Sequence, residues 1–347
     1  MIVLVTLGMR RDWLDRLLHA SRFRRTSGSM ADPLILNQRV ECGAVITAQQ
    51  RDGVLRLARA FEAGGFDSVW AGDHISFYVP ILESLTLLSF VAGATERVKI
   101  GSSVYLLPLR HPTTTAKVVS TLDVLSGGRL MFGVGVGGEF PPEFEASGIP
   151  VGERGSRTDE AIGILRKLWS EDGVAHEGRH FRFGPIAMNP KPVRPGGPPI
   201  IVGGRKPPAL RRAGRLGDGY ISHMCAAETY AQNLDVIRSH AKEAGRRDLP
   251  FETAAFLFTI LDDDYERALD GAANLLQMVY NRPFRDAAQK YCLLGRPDDC
   301  LEQLQAFADA GCRHFVLSSL MDPDEFVARA GGDLVRAIQG ITPKRSA

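Results

Sequence analysis

The sequence predicts an α/β fold: a closed (β/α)8 TIM barrel with an insertion near residues 171–199. Two observations carry that expectation. Residues 98–104, 112–125 and 129–136 read as strand, helix and strand, with Ser126-Gly127-Gly128 stopping the helix. Such a crossover joins parallel strands. The same alternation runs from residue 41 almost to the C-terminus and yields eight strand segments with helices between them. That count favours a closed barrel over an open sheet.

In chain order, residues 42–47 form a short apolar strand. Residues 50–63 follow as a helix, with Val54, Leu57, Ala58 and Phe61 at the i, i+3, i+4, i+7 spacing of one buried face. Gly64-Gly65 ends it. Residues 67–71 are the second strand and lead into Gly72-Asp73-His74; residues 82–94 are a helix. After the central unit, residues 141–152 read as a polar loop. Residues 157–169 read as a helix with Ala161, Ile162, Leu165, Leu168 and Trp169 on one face. Residues 171–199 break the rhythm with proline and glycine, and 179–183 read as a small hairpin arm. Strands five to eight fall at 200–204, 218–222, 251–261 and 313–318. Helices fall at 208–216, 229–244, 265–280, 297–310 and 325–339.

Residues 34–347 are thus expected to form a single barrel domain. Residues 1–33 fit nothing downstream. Their apolar start, residues 2–7, is too short for a signal-peptide core. Residues 1–29 carry six arginines against Asp12 and Asp15. One reading is a membrane-surface or targeting arm. The favoured expectation is an extension outside the fold, with Met30 as the true start.

Composition narrows the function classes. Beyond residue 29 the chain has 36 basic and 38 acidic residues, with no basic run interleaved with aromatics. A nucleic-acid partner is not expected. The five cysteines are odd in number and contain no C-x-x-C pair, which suits a reducing cytoplasm and offers no zinc signature. No metal site is expected. No apolar run approaches the ~18 residues that span a bilayer.

Gly133-Val134-Gly135-Val136-Gly137-Gly138 has the G-x-G-x-x-G spacing of a dinucleotide turn. That turn must open a helix whose first amides hold a pyrophosphate. Here Pro141-Pro142 opposes a helix beginning at the last glycine, and the first two glycines sit inside a strand. The dinucleotide reading is rejected.

A parallel barrel gathers its active residues at the carboxyl ends of the strands. Those ends hold Asp73 and His74, Ser103 and Val104, Gly137 and Glu139, Gly203 to Arg205, and residues 222–224. Asp73 and His74 offer a carboxylate and an imidazole for proton transfer near neutral pH; the plain alternative is a turn carboxylate and a surface histidine. Glu139 can act as a general acid or be a solvated loop residue. Gly203-Gly204-Arg205 sets amides and a cation before a helix N-terminus, an arrangement that holds phosphate or simply stops a strand.

At these residues the chain resembles the luciferase-like flavin-dependent oxidoreductases. The resemblance begins at Gly65-Phe66-Asp67-Ser68-Val69-Trp70 with Asp73-His74, and continues through Arg110-His111-Pro112 and residues 122–129. It extends over the glycine run 133–138, Glu143-Phe144-Glu145-Ala146-Ser147-Gly148, residues 198–204 and Gly217-Asp218-Gly219-Tyr220. It covers about residues 41–339 and implies the same barrel.

The resemblance also implies roles. Asp73 and His74 match a pair beside the reacting ring, with His74 near the reacting carbon. Ser103-Val104 matches a strand-end bulge that often holds a non-proline cis peptide behind that ring. Glu139 lies near an acid that protonates substrate in some members, although this loop has one extra residue. Gly137 belongs to the same cofactor-side glycine run. Gly203, Gly204 and Arg205 fall where the cofactor phosphate is held, and His223 and Cys225 follow the next strand. The implied activity is hydride transfer between coenzyme F420 and a small organic substrate. The alternatives are an FMN-dependent monooxygenase that incorporates oxygen from O2, and a flavin-binding barrel without catalysis. The cysteine usage sets the expectation of a cytoplasmic setting; a small-molecule substrate and a homodimer are the expected partners.

Overall fold

The computed structural model describes residues 32–344 of the chain. Eight parallel strands close into a barrel: β1 (Glu41–Val45), β2 (Ser68–Ala71), β3 (Lys99–Ser102), β4 (Leu130–Gly135), β5 (Ile200–Gly203), β6 (Gly219–His223), β7 (Leu249–Leu261) and β8 (His314–Ser319). Each pairs with its successor, and β8 returns to β1 with His314 opposite Glu41. Closure leaves the barrel strands without a free edge.

The outer helices are α1 (Arg51–Ala63), α2 (Ser84–Ala94), α3 (Pro112–Leu125), α4 (Arg154–Ser170), α5 (Pro207–Leu216), α6 (Ala227–Glu243), α7 (Tyr265–Tyr280) and α8 (Pro297–Asp309). The predicted faces of α1 and α4 are the buried ones, and they form part of the main core between barrel and helices. Inside the barrel, Val45, Trp70, Met131, Ile201, Ile221 and Val316 pack together. Strands covered on both sides read as near-continuous apolar runs, which is why β4 and β5 were legible. No described helix is long and apolar enough to cross a membrane.

The amino end of the barrel holds a polar plug. Lys99 Nζ lies 2.8 Å from both Glu41 oxygens. His314 Nδ1 lies 3.4 Å from Glu41. Its Nε2 is 2.6 Å from Ser68 Oγ, which accepts from Trp70 Nε1 at 2.7 Å. This cluster sits at the end opposite the strand tips where function was sought.

Several segments differ from expectation. Residues 141–152 are not a plain loop: Pro141–Ala146 is a short helix with both prolines in its first turn, where a missing N–H costs nothing. Phe144 is its apolar anchor, buried against Leu106 and Leu109. The hairpin in the insertion is larger than residues 179–183. Its antiparallel strands are Val174–Glu177 and Arg182–Ile186, and Glu160 of α4 accepts from His176, His180 and Phe181 to hold it in place. A helix, Arg285–Tyr291, and a strand, Leu293–Gly295, lie between α7 and α8. The last helix is two helices, Pro323–Ala330 and Asp333–Gln339, separated by Gly331 and Gly332, the latter at φ 72°.

The arm 1–29 lies outside the described residues. Asp32 and Pro33, placed with that arm by the sequence, do touch the barrel. Asp32 accepts from Leu34 N at 3.0 Å and pairs with Arg238 at 2.9 Å. Pro33 O accepts from Leu249 N at 3.2 Å, next to a short strand, Leu34–Leu36, that pairs with β7.

Candidate active site

Asp73, His74, Ser103, Val104, Gly137, Glu139, Gly203, Gly204, Arg205 and His223 all line one cavity of about 330 Å³ at the carboxyl ends of the strands. The structure therefore brings these ten residues together; Ser222 lines the same cavity, and Met224 and Cys225 do not. Their geometry separates their chemistry.

The floor is built where β3 is interrupted. The Ser103–Val104 peptide is cis, as the resemblance implied. The chain here runs so close to β4 and β5 that no side chain fits on them. A Cβ at Gly133 would lie 1.8 Å from the Ser102 carbonyl oxygen. One at Gly135 would lie 2.3 Å from Val104 Cγ2, and one at Gly203 2.7 Å from Val104 Cγ1. The first two glycines of the G-x-G-x-x-G run are thus glycine because of Ser102 and Val104. Ser103 Oγ is buried and has no hydrogen-bond partner among the described residues. A buried hydroxyl of that kind beside a cavity is poised for a ligand atom.

Asp73 is not free to act on a ligand. Its side chain has no solvent exposure. One oxygen accepts from Arg110 Nη1 at 2.5 Å and from the Leu106 amide at 2.9 Å; the other accepts from Arg110 Nη2 at 3.0 Å. A bidentate guanidinium clamp of this kind fixes geometry. Asp73 fixes Arg110 and the neighbouring Leu106 amide and so orders this corner of the cavity.

His74 has a partner the sequence reading missed. Its Nδ1 lies 3.1 and 3.2 Å from the two oxygens of Glu143, which also accepts from the Ile75 amide at 3.2 Å. Glu143 is fully buried on the short helix Pro141–Ala146. A carboxylate only accepts, so Nδ1 carries a proton and Nε2 is the nitrogen left for a ligand. Phe77 stacks on the ring with centroids 4.0 Å apart. Tautomer and orientation are both fixed before anything binds. The signal available in the sequence was Phe144: one apolar residue after a Pro-Pro start buries its turn and places its neighbour Glu143.

Glu139 stands exposed on the rim, beyond Gly137 at φ 59° and Gly138 at φ 104°. His223 stands between Phe256 and Phe258, and its Nε2 is 3.2 Å from the Tyr280 hydroxyl. Burial, and then the nearby Arg205 cation, push its imidazole down to about 4, so it is neutral at pH 7. Burial and the Glu139 charge hold the Tyr280 phenol above its usual range, hence protonated. Arg205 is exposed at the rim with no ion-pair partner among the described residues. Pro207 and Pro208 open α5 and remove two amide donors from its first turn. An anion there would rest on Arg205 more than on helix amides. Cys225 does not reach the cavity; burial pushes its thiol up to about 11.

Residues 37–314 match the family model described as luciferase-like monooxygenase. The chain is 28% identical over 321 residues to an F420-dependent glucose-6-phosphate dehydrogenase of Nakamurella multipartita, covering 82% of this chain and 92% of that protein. It is 29% identical over 297 residues to the one of Rhodococcus erythropolis, covering 76% and 86%. Among solved structures, an F420-dependent secondary alcohol dehydrogenase with an F420-acetone adduct superposes with a TM-score of 0.78 at 22% identity, over 86% of this chain and 99% of that one. The FMN-bound oxygenating constituent of 3,6-diketocamphane monooxygenase from Pseudomonas putida gives 0.67 at 19%, over 88% and 98%. These two structures share the barrel.

Proposed function

The chain belongs to the luciferase-like monooxygenase family, and from that premise we propose that it is an oxidoreductase using coenzyme F420 to exchange a hydride with a small organic substrate. The observation that carries this reading is the pre-oriented His74–Glu143 pair, with Nε2 of His74 free at the cavity. The F420-dependent relatives, matched over most of the chain, support the choice of cofactor.

The residues present fit such a cofactor. Ser103 Oγ is a buried hydroxyl without a partner, and Arg205 is a cation without an ion pair among the described residues. In this reading Ser103, Val104, Gly137, Gly203, Gly204 and His223 border the ring system and Arg205 holds its phosphate. When bound, the deazaflavin supplies a two-electron hydride donor or acceptor. His74 Nε2 gives or takes the proton of the substrate oxygen. Glu143 keeps the imidazole turned and stabilises positive charge on it. Asp73, held by Arg110, fixes the strand end from which His74 projects. Glu139 on the rim is the second candidate for proton transfer.

FMN remains the second reading, since an FMN-bound monooxygenase shares the barrel. Separate titrations with F420 and FMN decide between them: F420 is expected to bind more tightly, and tighter binding of FMN moves the assignment to the monooxygenase. A single catalytic domain over residues 34–347, a homodimer and a cytoplasmic setting belong to the same proposal. The five buried, unpaired cysteines suit that setting; sedimentation equilibrium tests the dimer.

A further inference from the structure

We propose that the substrate is an uncharged, largely apolar molecule bearing one hydroxyl or carbonyl group, and not a phosphorylated sugar. The inference deepens the reading above and rests on it for the reaction, but the shape and charge of the cavity carry it under either cofactor.

Charge decides first. Among the described residues that line the cavity, Arg205 is the one permanent cation. His223 is kept neutral by burial and by Arg205 itself. Arg110 stands nearby, but both its terminal nitrogens are spent on Asp73. The rim adds the Glu139 carboxylate. A phosphate ester brings about two negative charges, and Arg205 is already assigned to the cofactor phosphate. A dianion entering here would lose its water with no cation of the cavity lining left to pair with it and with Glu139 against it, a cost that burial makes large; Arg282, 5.8 Å over the Tyr280 ring, stands outside that lining.

The walls point the same way. Phe77, Val79, Ile81, Phe256, Phe258 and Val279 face the cavity. Such a surface gains by covering apolar area, at roughly 25 cal/mol per Å². Beyond the groups assigned to the cofactor, Ser103 among them, and the rim carboxylate of Glu139, a few polar atoms stand against it: Nε2 of His74, the Ser222 hydroxyl and the hydroxyl of Tyr280, itself in contact with His223. That pattern, apolar walls with a few convergent polar groups, recognises one oxygen on an apolar body. Tyr78 and Ile75, both about half exposed on the loop after His74, extend the apolar surface from the mouth.

The test is calorimetry on the full-length protein, in three arms. Cofactor alone is titrated first, which judges the reading above independently. Acetophenone and glucose 6-phosphate are then titrated into the cofactor-loaded protein at low and high salt. The ketone is expected to bind at least roughly tenfold more tightly than the sugar phosphate. Its affinity should be unchanged by salt, since no ion pair forms. Val79→Arg, a change on a loop, should narrow that preference by adding a cation to the wall. Tighter binding of glucose 6-phosphate, a salt-sensitive ketone affinity, or no ketone binding up to its solubility limit would overturn the proposal. If neither F420 nor FMN binds, the ketone and the sugar phosphate are compared on the protein alone, and the same outcomes decide.

Discussion

His74 Nδ1 and Glu143 Oε1 are 3.1 Å apart, although 69 residues separate them in the chain. Both oxygens of a fully buried carboxylate face one imidazole nitrogen. The pair makes His74 a one-sided group, with a single nitrogen available to the cavity. In the neutral ring that nitrogen is an acceptor, so the pair aims a proton-accepting atom at the cavity.

Glu143→Gln should leave the fold and cofactor affinity intact and lower turnover. The expected loss is a part of the ~10²–10⁴-fold effect of a general acid or base, which His74→Ala should show in full. Nitrogen-15 NMR of His74 in the cofactor-free protein should report a mixture of tautomers in Glu143→Gln and one tautomer in the wild type. A single unchanged tautomer in the variant would mean that Glu143 does not orient the ring.

Gly135→Ala should destabilise the barrel by ~1–3 kcal/mol, the usual cost of overpacking, because its Cβ would meet Val104 Cγ2 at 2.3 Å. Val104→Ala added to it should restore part of the loss. Urea denaturation of the two singles and the double gives the coupling. Additive losses would show that Val104 is not the obstacle.

Arg205→Ala should weaken F420 chiefly through its phosphate. A hydrogen bond to a charged group is worth ~1.5–3 kcal/mol, and the exposure of Arg205 places the effect at or below the lower end. Affinity should fall roughly tenfold or less. A cofactor fragment lacking the phosphate should bind both proteins alike; equal losses for both ligands would remove Arg205 from the phosphate.

Stability should fall as pH drops from about 6.5 to about 4. Burial first, then the Lys99 charge, hold the His314 imidazole at about 4, partly countered by Glu41, whereas an unfolded histidine titrates near ~6.5. Between these values the unfolded chain binds the extra proton, so acid favours unfolding by up to ~1.4 kcal/mol per pH unit. His223 works in the same direction. Glu41 adds to it at the acid end: although burial alone would raise its carboxyl, His314 once protonated and the Lys99 ammonium hold it below the usual range, so its contribution is lost only below about pH 4.3. Glu252, raised by burial, works against it. His314→Gln should flatten the melting temperature between pH 4 and 6.5 if its amide replaces the imidazole contacts; an unchanged slope would place the titration elsewhere.

The sequence by itself determined the architecture and the addresses of the site. Apolar periodicity located the eight strands and their helices, since burial of one face or of both faces is written into neighbouring residues. Because a parallel barrel gathers its strand ends on one face, knowing those ends was enough to collect Asp73, His74, Ser103, Glu139, Arg205 and His223 before any coordinates. What each one does there was decided by tertiary structure. Asp73 and His74 are adjacent in the chain, yet Arg110 takes the carboxylate of one and Glu143 fixes the ring of the other. Gly133 and Gly135 look like a phosphate-binding motif, and the approach of Ser102 and Val104 gives them another purpose. His314 is tied to Ser68 across 246 residues. Periodicity is a local signal that reports which face is buried, not which side chain arrives from the neighbouring strand. Those partners are set only when the barrel closes, and with them the charges, tautomers and free atoms that the cavity offers.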